Sequence, residues 1–256
     1  HPAASRASGT FTPKTCGAPG PPSPLSRNMR SNAPMMSIFS FISGLLTFFF
    51  VPPMKSSGQG VPSFSLRAIA HYSPMAGLLL FRVISALGRG SLFAFIPLLA
   101  ARAGLNLLQV GILISTNIFI TGLLQRPFGK MVTQGNLMTL IITGSLISAA
   151  ALAGMPAGQG FWSFLAIGSI MGIGGAISIP ASSVMAMEHG RTLGMTSSLG
   201  IFDAAWGVGM ILGPVLMGIV ADLSGIRGAF YAGGLVTALG TWLFFYISRK
   251  AGSMTR

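Results

Sequence analysis

Three charged residues interrupt the long apolar stretches of this chain, and they are the residues best placed to do chemistry. Arg82 and Arg89 lie seven positions apart in one apolar run, so they share a helical face, and Asp203 is the one acid well inside such a run. A charge at the centre of a bilayer costs roughly 2.5–3.5 kcal/mol on insertion scales, so it needs a partner or water. We predict that Asp203 pairs with Arg82 and that Arg89 faces a central cavity.

The sequence leaves the role of these charges open. They form a proton or substrate site, or a fixed ion pair that orients two helices, and Arg82 could also extend to the membrane surface. Asn117 and Gln125 lie eight positions apart in the next apolar run and either line the cavity or bond between helices. Trp206 either touches a substrate or packs against a neighbouring helix.

Two further features are candidates for gating. Pro180 lies inside a long apolar run, where it frees a carbonyl and produces either a hinge or a fixed kink. Glu188 and Arg191 lie at the end of the same run and form either a gate or an ordinary solvated helix end, because exposed ion pairs are weak.

The sequence shows no set of residues typical of an enzyme. The chain has one cysteine, Cys16, and three scattered histidines, which gives neither a disulfide nor metal-ligand spacing. No Ser/His/Asp set, paired catalytic carboxylates or phosphate-binding loop is present. We therefore expect no catalytic residues, no metal, no cofactor and no ATP-driven step within this chain.

The composition indicates a chain that lies mostly in lipid. Of its 256 residues, 51% are hydrophobic and only 7% are charged, whereas soluble domains carry roughly a quarter charged residues. The net charge is +13, but the basic residues lie mostly singly at the ends of apolar runs rather than in a patch. This spacing disfavours nucleic-acid binding and is typical of residues that hold loops in the cytoplasm.

The apolar runs predict an all-α, polytopic membrane protein, because each is about twenty residues long and none alternates with the period of a strand. We expect a poorly folded N-terminal segment at 1–34, a candidate transmembrane helix at 35–53, a cytoplasmic linker at 54–74, a six-helix bundle at 75–248 and a cytoplasmic tail at 249–256. The six spans run over 75–100, 107–125, 137–156, 161–187, 196–220 and 228–248.

The basic residues predict the orientation of the bundle. With the linker in the cytoplasm, eight basic residues lie inside and only Arg102 and Arg227 lie outside. If 35–53 also spans, the basic segment before it lies outside, so we expect either that it does not span or that more chain precedes it. The eight inside residues are Lys55, Arg67, Arg126, Lys130, Arg191, Arg249, Lys250 and Arg256.

One stretch carries a recognisable pattern of glycines and charges. Within it, a Gly-Pro pair is followed by the loop pattern Gly-x-x-x-Asp-x-x-Gly-x-Arg. This pattern resembles the exporter-type motif of the major facilitator superfamily (MFS), with Met217 in place of one motif glycine. The matching residues are Gly200, Gly209, Gly213, Pro214, Gly218, Asp222, Gly225 and Arg227.

Weaker matches to the same family occur in order along the chain. Gly129 begins a segment similar to that family's Gly-x-x-x-Asp-Arg loop, but Thr133 and Gln134 replace the acid and the base. The two loops lie three helices apart, as the family's inverted repeats imply. The remaining matches are Ile96-Pro97-Leu98, Gln109-Val110-Gly111, Pro180-Ala181 and Glu188-His-Gly190-Arg191.

The resemblance implies a fold and a function. The bundle resembles the second six-helix half of an MFS transporter, in the plasma (inner) membrane. The implied function is secondary, proton-coupled export of a small organic or drug-like solute, as in an antiporter. The alternative is a truncated half-transporter that needs a partner bundle, because one half offers only one wall of the cavity.

Overall fold

The computed structural model describes residues 41, 42, 45, 49, 73–133, 135–193 and 195–253. The chain divides into two units, residues 1–59 and residues 60–256. In the first unit the four described residues are helical and exposed. The expected segment 1–34 and most of the expected linker 54–74 lie outside the described residues.

Helices account for all regular secondary structure in the described ranges, which confirms the all-α prediction. A 3₁₀ turn at Met155–Ala157 follows the third helix. Over residues 73–253, the α-helices are α1 (Ser73–Arg102), α2 (Leu107–Met131), α3 (Leu137–Gly154), α4 (Phe161–Leu193) and α5 (Met195–Ser253).

Each described α-helix is long and apolar enough to cross a membrane. The surface of this unit is also apolar, with large side chains such as Leu107, Ile211 and Leu223 at least 71% exposed. Such a surface would aggregate in water, whereas hydrocarbon tails solvate it. The chain is therefore a polytopic membrane protein, as the sequence predicts.

Helix α5 consists of two antiparallel arms. Its 59 residues would extend about 88 Å as one straight helix, nearly three times the thickness of a hydrocarbon core. Gly225 interrupts it with φ 79° and ψ 168°, a backbone conformation essentially confined to glycine. We call 195–224 the first arm and 226–253 the second arm.

Close contacts with α1 give the direction of each arm. Gly209 and Gly213 of the first arm lie against Val83 and Leu87, so this arm runs parallel to α1. In the second arm, Thr237 lies against Gly88, whereas Ile247 lies against Gly77 further back along α1. The second arm is therefore antiparallel to α1, and the two arms form a hairpin at Gly225. Counting the arms separately, the described part of the bundle has six membrane-length segments.

The remaining helices alternate in direction. Asn117 and Thr121 of α2 donate to the carbonyls of Gly168 and Gly172, so α2 and α4 are parallel. Gly144 of α3 lies against Gly174 and Ser178 of α4, and Ser148 further along α3 donates to Met171, which lies earlier in α4. This inverse order makes α3 and α4 antiparallel, as expected for helices joined by a short connector.

Buried apolar side chains of the described residues form three clusters: an upper one, a lower one and a smaller one of Leu87, Met217 and Ala229. The upper cluster, at the end with the turns at 103–106, 158–160 and Gly225, includes Leu92, Phe164 and Phe230. The lower cluster, at the opposite end, includes Leu78 and Ile141. Between the upper and lower clusters, α1, α3, α4 and the second arm contribute buried polar side chains, and this polar layer positions the candidate site. It includes Arg82, Ser145, Ser148, Ser178, Ser182 and Thr237.

Candidate functional site

The polar layer surrounds a small cavity of about 30 Å³, which lies in a recess that opens to the surroundings. The cavity lies between the upper and lower clusters, so it is at mid-height in the bundle. Its lining combines two guanidinium groups, two aromatic side chains and six hydroxyl groups. These polar and aromatic residues are Arg82, Arg89, Phe81, Trp206, Ser85, Ser145, Ser148, Ser178, Ser182 and Thr237.

Arg82 is held by aromatic rings and by a long ion pair. Its guanidinium carbon lies 4.4 Å from the ring centroid of Phe202 and 4.2 Å from that of Trp206. Its Nη2 lies 3.9 Å from Oδ1 of Asp203, and its Nε is buried without a hydrogen-bond partner. A pair at this distance is longer than a charge-assisted hydrogen bond, so the aromatic faces contribute to holding the cation.

Asp203 lies on an open face of the bundle. Its side chain is 76% exposed, whereas the side chain of Arg82 is 10% exposed. A carboxylate inside a membrane span faces a bundle interior or a water-filled space rather than lipid tails. The face that carries Asp203 is therefore suited to contact with water or with another polypeptide.

Arg89 extends from α1 across the cavity to α4. Its guanidinium carbon lies 5.8 Å from the ring centroid of Trp206. A Cβ placed on Gly175 would lie 3.2 Å from both Cζ and Nη1 of Arg89, and closer still to Nη2. The guanidinium thus rests against the backbone of Gly175, where any larger residue would displace it.

Arg89 has no acidic partner in this chain. All three acidic side chains, Glu188, Asp203 and Asp222, belong to the described residues, and none lies within 4.0 Å of Arg89. Arg82 and Asp203 do form an ion pair, with 3.9 Å between Nη2 and Oδ1.

The hydroxyl groups of the layer fall into two sets. In the first set, Ser182 and Thr237 donate to carbonyls of their own helices, at 2.9 Å and 2.8 Å, and Ser148 donates to the carbonyl of Met171 at 3.4 Å. Ser85, Ser145 and Ser178 make no hydrogen bond within the described part of the chain, so their protons are available to a bound solute.

The other predicted pathway residues lie elsewhere. Asn117 donates from Nδ2 to the carbonyl of Gly168 at 2.8 Å, and it lines a separate, mostly apolar pocket with Phe164. Its Oδ1 is buried without a partner. Gln125 is half-buried on α2 and does not line the arginine cavity. The arrangement of Asn117 is that of an interhelical hydrogen bond, one of the two alternatives that the sequence leaves open.

The glycines of the exporter-like motif differ in what they contact. Gly209 and Gly213 lie against the α1 backbone, and Pro214 lies beside Gly90 of α1. By contrast, a Cβ on Gly218 would reach only the ring of Phe95, at 3.9 Å, and one on Gly200 would meet nothing within 4 Å. Gly209, Gly213 and Pro214 therefore set the distance between α1 and the first arm.

The gating candidates lie near the two ends of the bundle. At the lower end, a Cβ on Gly129 would lie 3.9 Å from Cβ of Pro180, so these two candidates are neighbours. Glu188 is half-buried, and the side chain of Arg191 lies outside the described residues. Around the upper turn, Asp222 and Arg227 are exposed and do not pair with each other.

Sequence reasoning missed the hydroxyl groups of the layer and the glycine beneath Arg89. Ser145 and Ser148, and likewise Ser178 and Ser182, recur at helical spacing in otherwise apolar runs, which is a detectable signal for one polar face. Gly175 carries no comparable signal, because many glycines occur in these helices.

Comparisons with known proteins identify the family of the chain. An uncharacterized MFS-type transporter of Methanocaldococcus jannaschii is 30% identical over 140 residues, which are 54% of this chain and 36% of that protein. The match therefore spans little more than a third of that relative's length. No solved structure matches the chain significantly. The family model described as Major Facilitator Superfamily matches residues 78–255, most of the chain, so the chain belongs to the Major Facilitator Superfamily of membrane transporters.

Proposed function

We propose that this chain takes part in proton-coupled export of a small organic solute, and that the cavity of Arg89 is the solute site. The observation that carries the proposal is the polar cavity at mid-height in an otherwise apolar bundle. Transporters of this architecture bind solutes near the bilayer midplane, where two bundles meet. Export of a solute from the cell places this activity in the plasma (inner) membrane, and it requires no chemical conversion of the solute.

Asp203 is the proposed proton carrier. It is the one acid beside the cavity, and its exposed carboxylate lies 3.9 Å from the guanidinium of Arg82. Protonation would remove the attraction between these two groups and free Arg82 to move. A solute and a proton could thereby compete for the same charge, which is the requirement for exchange of one for the other.

The export direction is proposed because the Gly-Pro pattern of the first arm resembles that of exporters. This pattern lies where the first arm packs closely against α1. The contact joins the helix that bears both arginines to the helix that bears Asp203. A change in the arginine cavity would therefore be transmitted directly to the motif helix.

The second candidate function is that of a half-transporter that needs a partner bundle. The exposed face of Asp203 favours it, because a carboxylate in a membrane span requires water or protein there. In that case the chain supplies one wall of the cavity and a second bundle supplies the other.

Flux into vesicles tests both candidates. The full chain would be reconstituted with an imposed proton gradient, and accumulation of carboxyfluorescein, an anion, and ethidium, a cation, would be followed by fluorescence. Proton-coupled export predicts accumulation that a protonophore abolishes, that Asp203→Asn abolishes and that Arg102→Gln, a change at an exposed charged residue outside the cavity, retains. Equal accumulation with and without the proton gradient would reject proton coupling. Accumulation of neither dye by the correctly inserted chain would favour the half-transporter.

A further inference from the structure

We infer that the cavity recognises an organic anion, and that Arg89 binds its carboxylate, phosphate or phosphonate group. The inference rests on the proposed function in one respect, namely that the cavity is the solute site. It adds the chemical class of the solute and the residues that select it.

The charge of the cavity is the first argument. Two arginines line it, and Asp203, at its edge, is the one acid near them. The chain has only three acids, and Glu188 and Asp222 do not line the cavity. One positive charge therefore remains uncompensated at mid-height in the bundle. Such a charge is costly within a membrane, and a bound anion would offset that cost.

The geometry of Arg89 is the second argument. The Nη2 end of the guanidinium lies against the backbone of Gly175, and the side chain lines the cavity. A planar guanidinium donates two parallel N–H bonds to a carboxylate or phosphate, a pairing that lysine or a neutral side chain cannot reproduce.

The hydroxyl groups supply the third argument. Ser85, Ser145 and Ser178 lie on three different parts of the lining and have unused protons, which suit the remaining oxygens of an oxyanion. Trp206, in the same lining, adds apolar surface beside the two guanidinium groups for the rest of the solute. A cationic solute would instead meet two guanidinium groups and no carboxylate in the lining.

A matched set of aromatic compounds tests the inference by binding alone. Thermal unfolding of the purified full chain in detergent would be measured with benzoate, phenyl phosphate, benzamide and benzylamine at equal ionic strength. Benzoate and phenyl phosphate are expected to raise the unfolding temperature in a saturable manner. Benzamide, of the same shape but neutral, and benzylamine, a cation, are expected to have little effect.

Variants assign the binding to Arg89. Arg89→Gln is expected to weaken benzoate binding about tenfold or more, because a charge-assisted hydrogen bond is lost. Arg89→Lys should retain part of the affinity through its charge. The matched control is Arg102→Gln, a change to an exposed arginine at the end of the same helix, which should leave binding unchanged.

If substitution of Arg89 disturbs folding, Gly175→Ala tests the same site, because it displaces the Arg89 guanidinium without removing the arginine. The added methyl group meets only the flexible end of the Arg89 side chain, so the protein should remain folded while benzoate binding falls. Gly168→Ala on the same helix is the control, since its nearest atom would be Cε of Met155, at 3.8 Å.

Three results would overturn the inference: equal stabilisation by benzoate and benzamide, a preference for benzylamine, or no stabilisation by any of the four compounds. Benzoate binding that is unchanged in both Arg89→Gln and Gly175→Ala would also overturn it. These outcomes are separate from failure of the proposed function, because gradient-driven ethidium accumulation would show transport without anion recognition. Anion binding without any flux would keep the inference and reject transport by this chain alone.

Discussion

The contact between α1 and the first arm of α5 yields a quantitative prediction for Gly213→Ala. A Cβ on Gly213 would lie 3.1 Å from the carbonyl carbon of Leu87 and 3.2 Å from its Cα, and closer still to its carbonyl oxygen. These are backbone atoms of a helix, so no side-chain rotation can relieve the clash. The two helices must separate by several tenths of an ångström, and overpacking of this kind typically costs about 1–3 kcal/mol.

Gly207→Ala on the same arm is the matched control. A Cβ at Gly207 would meet nothing within 4 Å. Both substitutions replace glycine by alanine inside a helix, which favours the helix by about 1 kcal/mol in each case. This gain cancels in the comparison, so the free energy of unfolding should be lower for Gly213→Ala than for Gly207→Ala by about 1–3 kcal/mol.

Thermal unfolding of the two purified variants in detergent, followed by tryptophan fluorescence, measures this difference. For a domain of this size, 1 kcal/mol corresponds to a shift of about 2–4 °C in Tm. We therefore expect Gly213→Ala to unfold at least about 2 °C below Gly207→Ala. Equal Tm values, or a higher value for Gly213→Ala, would refute the close approach of the first arm to α1.

Two further predictions concern the hairpin and the interhelical hydrogen bond. Gly225→Ala should lower the free energy of unfolding by about 1–3 kcal/mol, because alanine is strained at φ 79° and ψ 168°; an unchanged Tm would contradict a break of this geometry. Asn117→Leu should change the free energy of unfolding by less than about 1 kcal/mol, because an interhelical hydrogen bond in a membrane averages about 0.6 kcal/mol and the unpaired Oδ1 is removed with it. Solute binding should survive this change, and its loss in a stable protein would place Asn117 in the solute site instead.

The helical class and the membrane environment could be predicted from the sequence because they depend on local properties. An apolar run of membrane length that shows no strand alternation forms a helix in lipid, because only the helix satisfies its backbone hydrogen bonds within the segment. The same logic identified Arg82 and Asp203, because charges are rare inside such runs. Their contact, at 3.9 Å, required only that the two helices be neighbours.

The finer features depend on how each helix is rotated about its axis. Gly175 supports Arg89 only because α4 presents that position to α1, and the sequence of either helix alone does not fix this rotation. Asn117 illustrates the same limit, since an amide in an apolar run can face a cavity or a neighbouring helix. From the sequence, we could predict only that successive spans run in opposite directions. The contacts of Gly209 and Thr237 with α1 specify the direction of each arm of α5.

The central claim is that this bundle lies across a membrane with its upper and lower turns on opposite sides. Single cysteines at Thr133, Ala157 and Ser224, introduced into a Cys16→Ser background and labelled with a membrane-impermeant maleimide, test it most directly. All three positions are exposed at turns, and Cys16 is the one natural cysteine. We predict that Ala157 and Ser224 are labelled from one side and Thr133 from the other. Labelling of Thr133 and Ala157 from the same side would contradict it.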